Sequence, residues 1–180
     1  MRDLFYCCLM SSDNRATRAL ARSTGVSTDS FIVMMNRKVD NLALFSIKVD
    51  EVTGLSENNV ASAYDIARLV NIASTNETIQ ATLCTKEYSF LSEKRKRLVT
   101  LGNTNRMLSS SWRIEGGKTG YIGESGYCFA VRVADDKGHD LTGVVLGAHS
   151  NSRRFKEVTK LFQWAFAALD KVQASTIGKL

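Results

Sequence analysis

Proline is absent from all 180 residues of the chain. Soluble proteins ordinarily carry about 5%, so proline-rich linkers and stiff extended tails are excluded, although nothing functional follows from the absence. Long hydrophobic runs are absent too. No window holds the roughly eighteen uninterrupted apolar residues of a membrane-spanning helix, and no transmembrane segment is expected. Histidine is scarce, with only His139 and His149, and Cys7, Cys8, Cys84 and Cys128 show no C-x-x-C spacing. Neither a metal site nor a disulfide framework is expected, and no cofactor is implied. No secretion signal is expected at the N-terminus, since Arg2-Asp3 puts an acid where a basic region belongs and the apolar run from Leu4 to Met10 leads into polar Ser11-Ser12-Asp13-Asn14. The expectation is a cytoplasmic protein, or one whose beginning lies upstream of this sequence.

The composition that remains, 44% hydrophobic and 23% charged, is that of one globular domain with a sizeable core. A net charge of +6 favours an anionic partner such as nucleic acid, a phospholipid surface or an anionic wall polymer, or else a basic solvated surface. The run Lys94-Arg95-Lys96-Arg97 could meet phosphates. It has no aromatic interleaving, so no nucleic-acid partner is expected.

Helical spacing appears at residues 3–10 and again from Ala16, with Ser11 to Asn14 as a capping joint between. Gly25 stops the second helix, and Thr28 or Asp29 caps a third carrying Phe31, Met34, Met35 and Val39, its methionines read as core filler. Residues 43–60 are irregular around the turn Thr53-Gly54-Leu55-Ser56. Ser62 caps a helix through Ala73, and Asn76 opens a short one through Leu83. Tyr88 and Phe90, then Leu98, Val99 and Leu101, read as a hairpin with the basic run near its tip. Strands are expected at 114–122, 126–134 and 141–148, the last two forming an antiparallel hairpin through Asp135-Asp136-Lys137-Gly138. An amphipathic helix over 152–169 closes the chain. Helices, an antiparallel meander and a covering helix make an α+β fold, an α/β sandwich.

Two short motifs carry chemistry. In Gly116-Gly117-Lys118-Thr119-Gly120-Tyr121 a fixed ammonium and a neighbouring hydroxyl can hold a carboxylate, and Gly120 lets a substrate backbone lie against the strand. Alone, the tripeptide is more often an ordinary turn. Ser12-Asp13-Asn14, taken alone, reads first as a helix joint whose side chains only cap backbone N–H groups. The pair, 106 positions apart, is more informative, because penicillin-recognising serine enzymes use both together with a Ser-x-x-Lys that supplies the nucleophile.

The likeness extends along the chain. LMSSDNRATRALAR, FIVMMNRKVDNLAL, VTGLSENNVASAYDIARLV, NTNRML leading towards GGKTGYIGESGYC, and VVLGAHSNSRRFKEVTKLFQWAF together resemble, in order, segments of the D-Ala-D-Ala carboxypeptidases and endopeptidases. These are the low-molecular-mass penicillin-binding proteins, and their endopeptidase branch is the most similar. The resemblance implies a β-lactamase/transpeptidase-like fold and a serine-type peptidase acting on peptidoglycan stem peptides, with β-lactams as ligands of the complete enzyme and a periplasmic or cell-wall location. It implies that Ser12 relays a proton beside the nucleophile and that Asn14 holds the acyl-side peptide. Lys118 and Thr119 would receive the terminal carboxylate, Gly120 would permit close approach, and the Tyr121 N–H would form half of the oxyanion hole. Asp13, in the variable middle position, is expected to point elsewhere.

One element departs from the pattern. Lys38 is preceded three residues earlier by Met35, Lys86 by Leu83, Lys118 by Glu115 and Lys156 by Arg153, so no serine stands at the required spacing. Thr176-Ile177-Gly178-Lys179 has the spacing but lies beyond the closing helix. The chain is therefore expected to be an N-terminally truncated member, residues 1–170 a partial transpeptidase-like domain and 171–180 a tail, without the first strands and the nucleophile helix. It is expected to be weakly stable and unable to form an acyl-enzyme alone. The alternatives are a non-catalytic remnant that binds stem peptides or a partner, and a class A β-lactamase-like enzyme, whose Glu-bearing loop is not recognisable between residues 50 and 100.

Overall fold

Alternation in Gly126–Ala134 sends Phe129, Val131 and Val133 to one face of a strand, and the computed structural model, which describes residues 1–92 and 96–177, buries all three. This strand, β4, is the middle of an antiparallel sheet between β3 (Arg113–Ile122) and β5 (Asp140–Ala148), in the order β3-β4-β5. Helix α6 (Asn151–Ile177) lies on that face, where Val158 and Phe162 join Phe129, Val131, Val133 and Met107 in the core. Gly143 permits the close approach, since a Cβ there would come within 2.8 Å of the Phe162 ring. Helices α4 (Ala63–Ala73) and α5 (Glu77–Cys84) pack on the opposite side, so the sheet is buried between helical layers as the α/β sandwich requires. A second sheet is the hairpin β1 (Glu87–Ser92) with β2 (Arg97–Gly102). Within its basic run Lys94 and Arg95 lie outside the described residues.

The N-terminal helices are α1 (Arg2–Leu9), α2 (Asn14–Ser23) and α3 (Thr28–Asn41). Gly25, at φ +80°, ends the second as expected. Three expectations are corrected. The N-cap of α3 is Ser27, one residue before Thr28, because its hydroxyl accepts the Ser30 N–H. Met34 is 53% exposed and so does not fill the core; α3 buries only Val39 and packs lightly. The closing helix runs through Ile177, past the expected end at 169, and Leu161 on it faces solvent. No helix among the described residues is long and apolar enough to cross a membrane.

Two bulges shape the sheet. Glu115 is the extra residue between the pairs Ile114↔Val133 and Gly116↔Arg132, where its carboxylate accepts hydrogen bonds from Gln80 and Arg113. The β4–β5 register shifts at Cys128, opposite Leu146 and Gly147, and Gly147 takes φ +72°.

Candidate active site

The turn between α1 and α2 carries the first motif. Asp13 points back along α2 and caps it, its Oδ1 accepting the Arg15 and Ala16 N–H groups at 2.8 and 3.1 Å. The capping role that could have consumed the motif's polar side chains thus falls to Asp13 alone, and Ser12 is left exposed. Ser12 sits at φ +56°, a left-handed conformation that costs a non-glycine residue roughly 1–2 kcal/mol. Met10 anchors the turn. It is fully buried, and its carbonyl accepts both the N–H and the Oγ1–H of Thr104, at 3.1 and 3.3 Å.

The second motif lies on β3. Packing requires Gly116, where a Cβ would stand 2.3 Å from the Ser74 hydroxyl, and leaves Gly117 tight, with a Cβ about 3.0 Å from the Ala130 carbonyl. The Lys118 ammonium reaches across to donate to Ser12 Oγ and also donates to the Thr119 carbonyl at 3.0 Å. Burial lowers the Lys118 pKa to about 8; nearby Cys8 opposes this shift and Arg154 adds to it. Lys118 is therefore an ammonium at neutral pH that gives up its proton more readily than a surface lysine. The Thr119 hydroxyl is buried and donates to Thr104 Oγ1 at 2.7 Å. Gly120 has room: a Cβ there would meet only the Cys128 Cβ, at an ordinary 3.7 Å. Tyr121 is exposed, its ring stacked on Tyr127 with centroids 4.2 Å apart.

Ser12, Lys118 and Thr119 are thus brought together, and Gly120 and Tyr121 continue along the same strand. These last two line a groove of about 590 Å³ between the end of the sheet and the loop 47–61, walled by Ile47, Val49, Ile66 and Leu146. Asn14 opens α2 two residues after Ser12 and is half-buried, with no hydrogen bond joining it to Lys118 or Thr119.

Two residues at the site escaped the sequence reading. Thr104 stands between the motifs, bonded to Met10 on one side and Thr119 on the other. Arg154, nearly buried at the start of α6, donates from Nη1 to the Gly120 and Cys128 carbonyls at 2.9 and 3.2 Å. Its guanidinium lies over the Tyr127 and Phe155 rings, and burial lowers its pKa. The only sequence signals were the threonine inside NTNRML and the doubled arginine at 153–154.

Glu51 also lines the groove. Its Oε2 accepts the Thr53, Gly54 and Leu55 N–H groups at 2.7, 3.0 and 3.3 Å, while Oε1 takes the Thr53 hydroxyl and faces Arg18 at 3.6 Å. Burial pushes its carboxyl pKa up, and these hydrogen bonds outweigh that, leaving it below the ordinary value. With both oxygens engaged, Glu51 shapes the loop and is poorly placed to activate a water. Among the described residues no three His, Cys, Asp or Glu side chains cluster as metal ligands.

Comparison with known proteins points to one family. Residues 1–150 match the model of the D-alanyl-D-alanine carboxypeptidase family. The chain is 30% identical over 164 residues to a D-alanyl-D-alanine endopeptidase of Pseudomonas aeruginosa, covering 91% of this chain and 53% of the relative. It is 32% identical over 159 residues to the D-alanyl-D-alanine carboxypeptidase DacF of Bacillus subtilis, covering 88% of this chain and 40% of the relative. The chain thus spans about half the length of the curated relatives it matches. Among solved structures it is similar to the Streptomyces K15 DD-transpeptidase, with a TM-score of 0.85 and 29% identity over 92% of this chain and 67% of that one.

Proposed function

The chain belongs to the D-alanyl-D-alanine carboxypeptidase family, and from that premise we propose that its residues form the carboxylate-binding and proton-relay side of a serine-type D-Ala-D-Ala carboxypeptidase or endopeptidase acting on peptidoglycan stem peptides. The observation that carries this reading is the contact of Lys118 with Ser12, which joins two motifs far apart in the sequence across one cleft.

In this assignment the substrate lies along β3. Its terminal carboxylate meets Lys118 and Thr119, where an ammonium and a hydroxyl provide charge-assisted hydrogen bonds. Arg154 holds the Gly120 carbonyl and so fixes the strand beneath it. Gly120 offers no side chain to obstruct the peptide, and the Tyr121 N–H serves as one oxyanion donor. Ser12, already bonded to Lys118, passes a proton to the departing amine, an exchange eased by a lysine whose pKa lies near 8. Asn14 binds the acyl-side peptide. Residues 1–170 form the transpeptidase-like domain, the location is periplasmic or at the cell wall, and β-lactams are ligands of the complete site. The engaged carboxylate of Glu51 argues against β-lactamase-type water activation.

The absence of Ser-x-x-Lys from these 180 residues favours one second reading, binding without chemistry. Both readings require the carboxylate subsite. Titration with an N-acylated D-Ala-D-Ala peptide is expected to show binding by the wild-type chain and a loss of about tenfold or more in Lys118→Ala, as removal of a charge-assisted partner implies. Absence of binding by the wild-type chain would remove the case for the site.

A further inference from the structure

The Thr119 hydroxyl does not stand alone. It donates to Thr104 Oγ1 at 2.7 Å, and Thr104 Oγ1 in turn donates to the Met10 carbonyl at 3.3 Å. That carbonyl also holds the Thr104 N–H at 3.1 Å. Each hydroxyl has one proton and two acceptor sites, so the chain has a direction, running from β3 to the turn that carries Ser12. In this direction Thr119 has spent its proton and faces an incoming ligand as an acceptor. A terminal carboxylate, which only accepts, cannot bond to it in that state.

The chain can be reversed at the cost of one hydrogen bond. If Thr104 turns its proton from the Met10 carbonyl to Thr119 Oγ1, Thr119 is free to donate to a carboxylate. Met10 is not orphaned, because the Thr104 N–H remains on it, and the bond given up is the longer of the two. We propose that Thr104 is a positioning residue that makes Thr119 reversible. In the resting direction Thr119 accepts the N–H of a peptide continued or cross-linked beyond the terminal residue, and in the reversed direction it donates to a free carboxylate. This rests on the carboxylate-site reading above and extends it to both termini that a carboxypeptidase and an endopeptidase must recognise.

The consequence has a definite sign. The wild-type chain must give up the Thr104-to-Met10 hydroxyl bond to bind a carboxylate but keeps it when binding an N–H. Thr104→Val removes the internal acceptor, so Thr119 donates to a carboxylate without that cost, whereas an N–H ligand gains nothing. The probes are an N-acylated D-Ala-D-Ala peptide with a free carboxylate and the same peptide as its C-terminal carboxamide, titrated calorimetrically into the full chain. Thr104→Val is expected to raise the carboxylate-to-carboxamide affinity ratio about fivefold, the worth of one net hydrogen bond, and Thr104→Ser to return it to the wild-type value. A merely structural role would weaken both ligands together and leave the ratio fixed. An unchanged ratio in Thr104→Val, or one that Thr104→Ser fails to restore, overturns the reversible pair while leaving the carboxylate site standing. Failure of the wild-type chain to bind either peptide removes the site and this inference with it. Should Thr104→Val fold poorly, Thr104→Ala, which also removes the internal acceptor, must raise the ratio in its place, and an unchanged ratio there also overturns the proposal.

Discussion

The glycines of β3 separate structural from functional demand at the scale of single residues. Gly116 is fixed by its neighbours: Ser74 is buried and its hydroxyl is committed to the Val70 carbonyl at 2.8 Å, so it cannot yield to a new methyl group 2.3 Å away. Gly120 has an ordinary negative-φ strand conformation and open space beyond it, so nothing in the fold requires a glycine there. Gly116→Ala is therefore expected to destabilise the chain by about 1–3 kcal/mol, the usual cost of overpacking. Gly120→Ala should leave the denaturation midpoint nearly unchanged and weaken D-Ala-D-Ala peptide binding severalfold. Urea melts beside peptide titrations check both, and a large stability loss in Gly120→Ala would return that glycine to packing. Lys118, Thr119 and Gly120 could be nominated from the sequence because the Lys-Thr-Gly tripeptide is paired with Ser12-Asp13-Asn14 upstream; alone the tripeptide is a weak signal. Thr104 and Arg154 could not: they act through contacts with residues 15 and 34 positions away, and neither has a distinctive neighbour in sequence.

Among the elements, the irregular segment 43–62 forms one wall of the groove and owes its shape to α4. Asp65, buried in the first turn of that helix, accepts the Ser46 N–H and hydroxyl at 2.8 and 2.7 Å and pairs with Arg68 at 3.3 Å, while Arg68 reaches back to the Ala43 carbonyl. The Ser46 hydroxyl, then the Ser46 N–H, hold the Asp65 carboxyl below its ordinary pKa of 3.8. A carboxyl depressed in the folded state adds stability above its unfolded pKa and loses that contribution as pH falls through the lower folded value. The difference in thermal midpoint between wild type and Asp65→Asn is thus expected to be constant above about pH 5 and to shrink as the solution is acidified below the unfolded value. A difference that does not vary with pH would mean Asp65 acts only through its shape. Helix caps at Ser62 and Asn76 and the β4–β5 hairpin were readable from local rules, since capping oxygens and turn residues act within a few positions. The exposed Met34 was misread because periodicity reports which face could be buried, whereas burial depends on a neighbour, and α3 has few.

For the molecule as a whole, the cleft is assembled from three distant stretches: the turn at residues 10–13, the loop at 103–105 and β3. Together they bring a serine hydroxyl, an ammonium and a threonine hydroxyl into one cleft. An acylation mechanism also needs a nucleophile with its own base, and here one alternative to Ser-x-x-Lys exists in principle. Ser12 and Lys118 are themselves a hydrogen-bonded serine and lysine, and the lysine has a pKa near 8. Two features oppose its use as an acylating pair. Ser12 is exposed on a left-handed turn, so its hydroxyl is solvated, and Lys118 is also spent on the Thr119 carbonyl, leaving the amine protonated at neutral pH. Incubation of these 180 residues with a labelled penicillin at pH 7 is therefore expected to leave the intact mass unchanged. The same sample should still bind a D-Ala-D-Ala peptide through the Lys118 subsite. A stoichiometric adduct mapped to Ser12 by peptide mass would reassign that serine from proton relay to nucleophile, and loss of the adduct in Lys118→Ala would then identify its base. An adduct mapped to any other serine would place the reactive centre outside the Ser12–Lys118 cleft and overturn the division of roles argued for it.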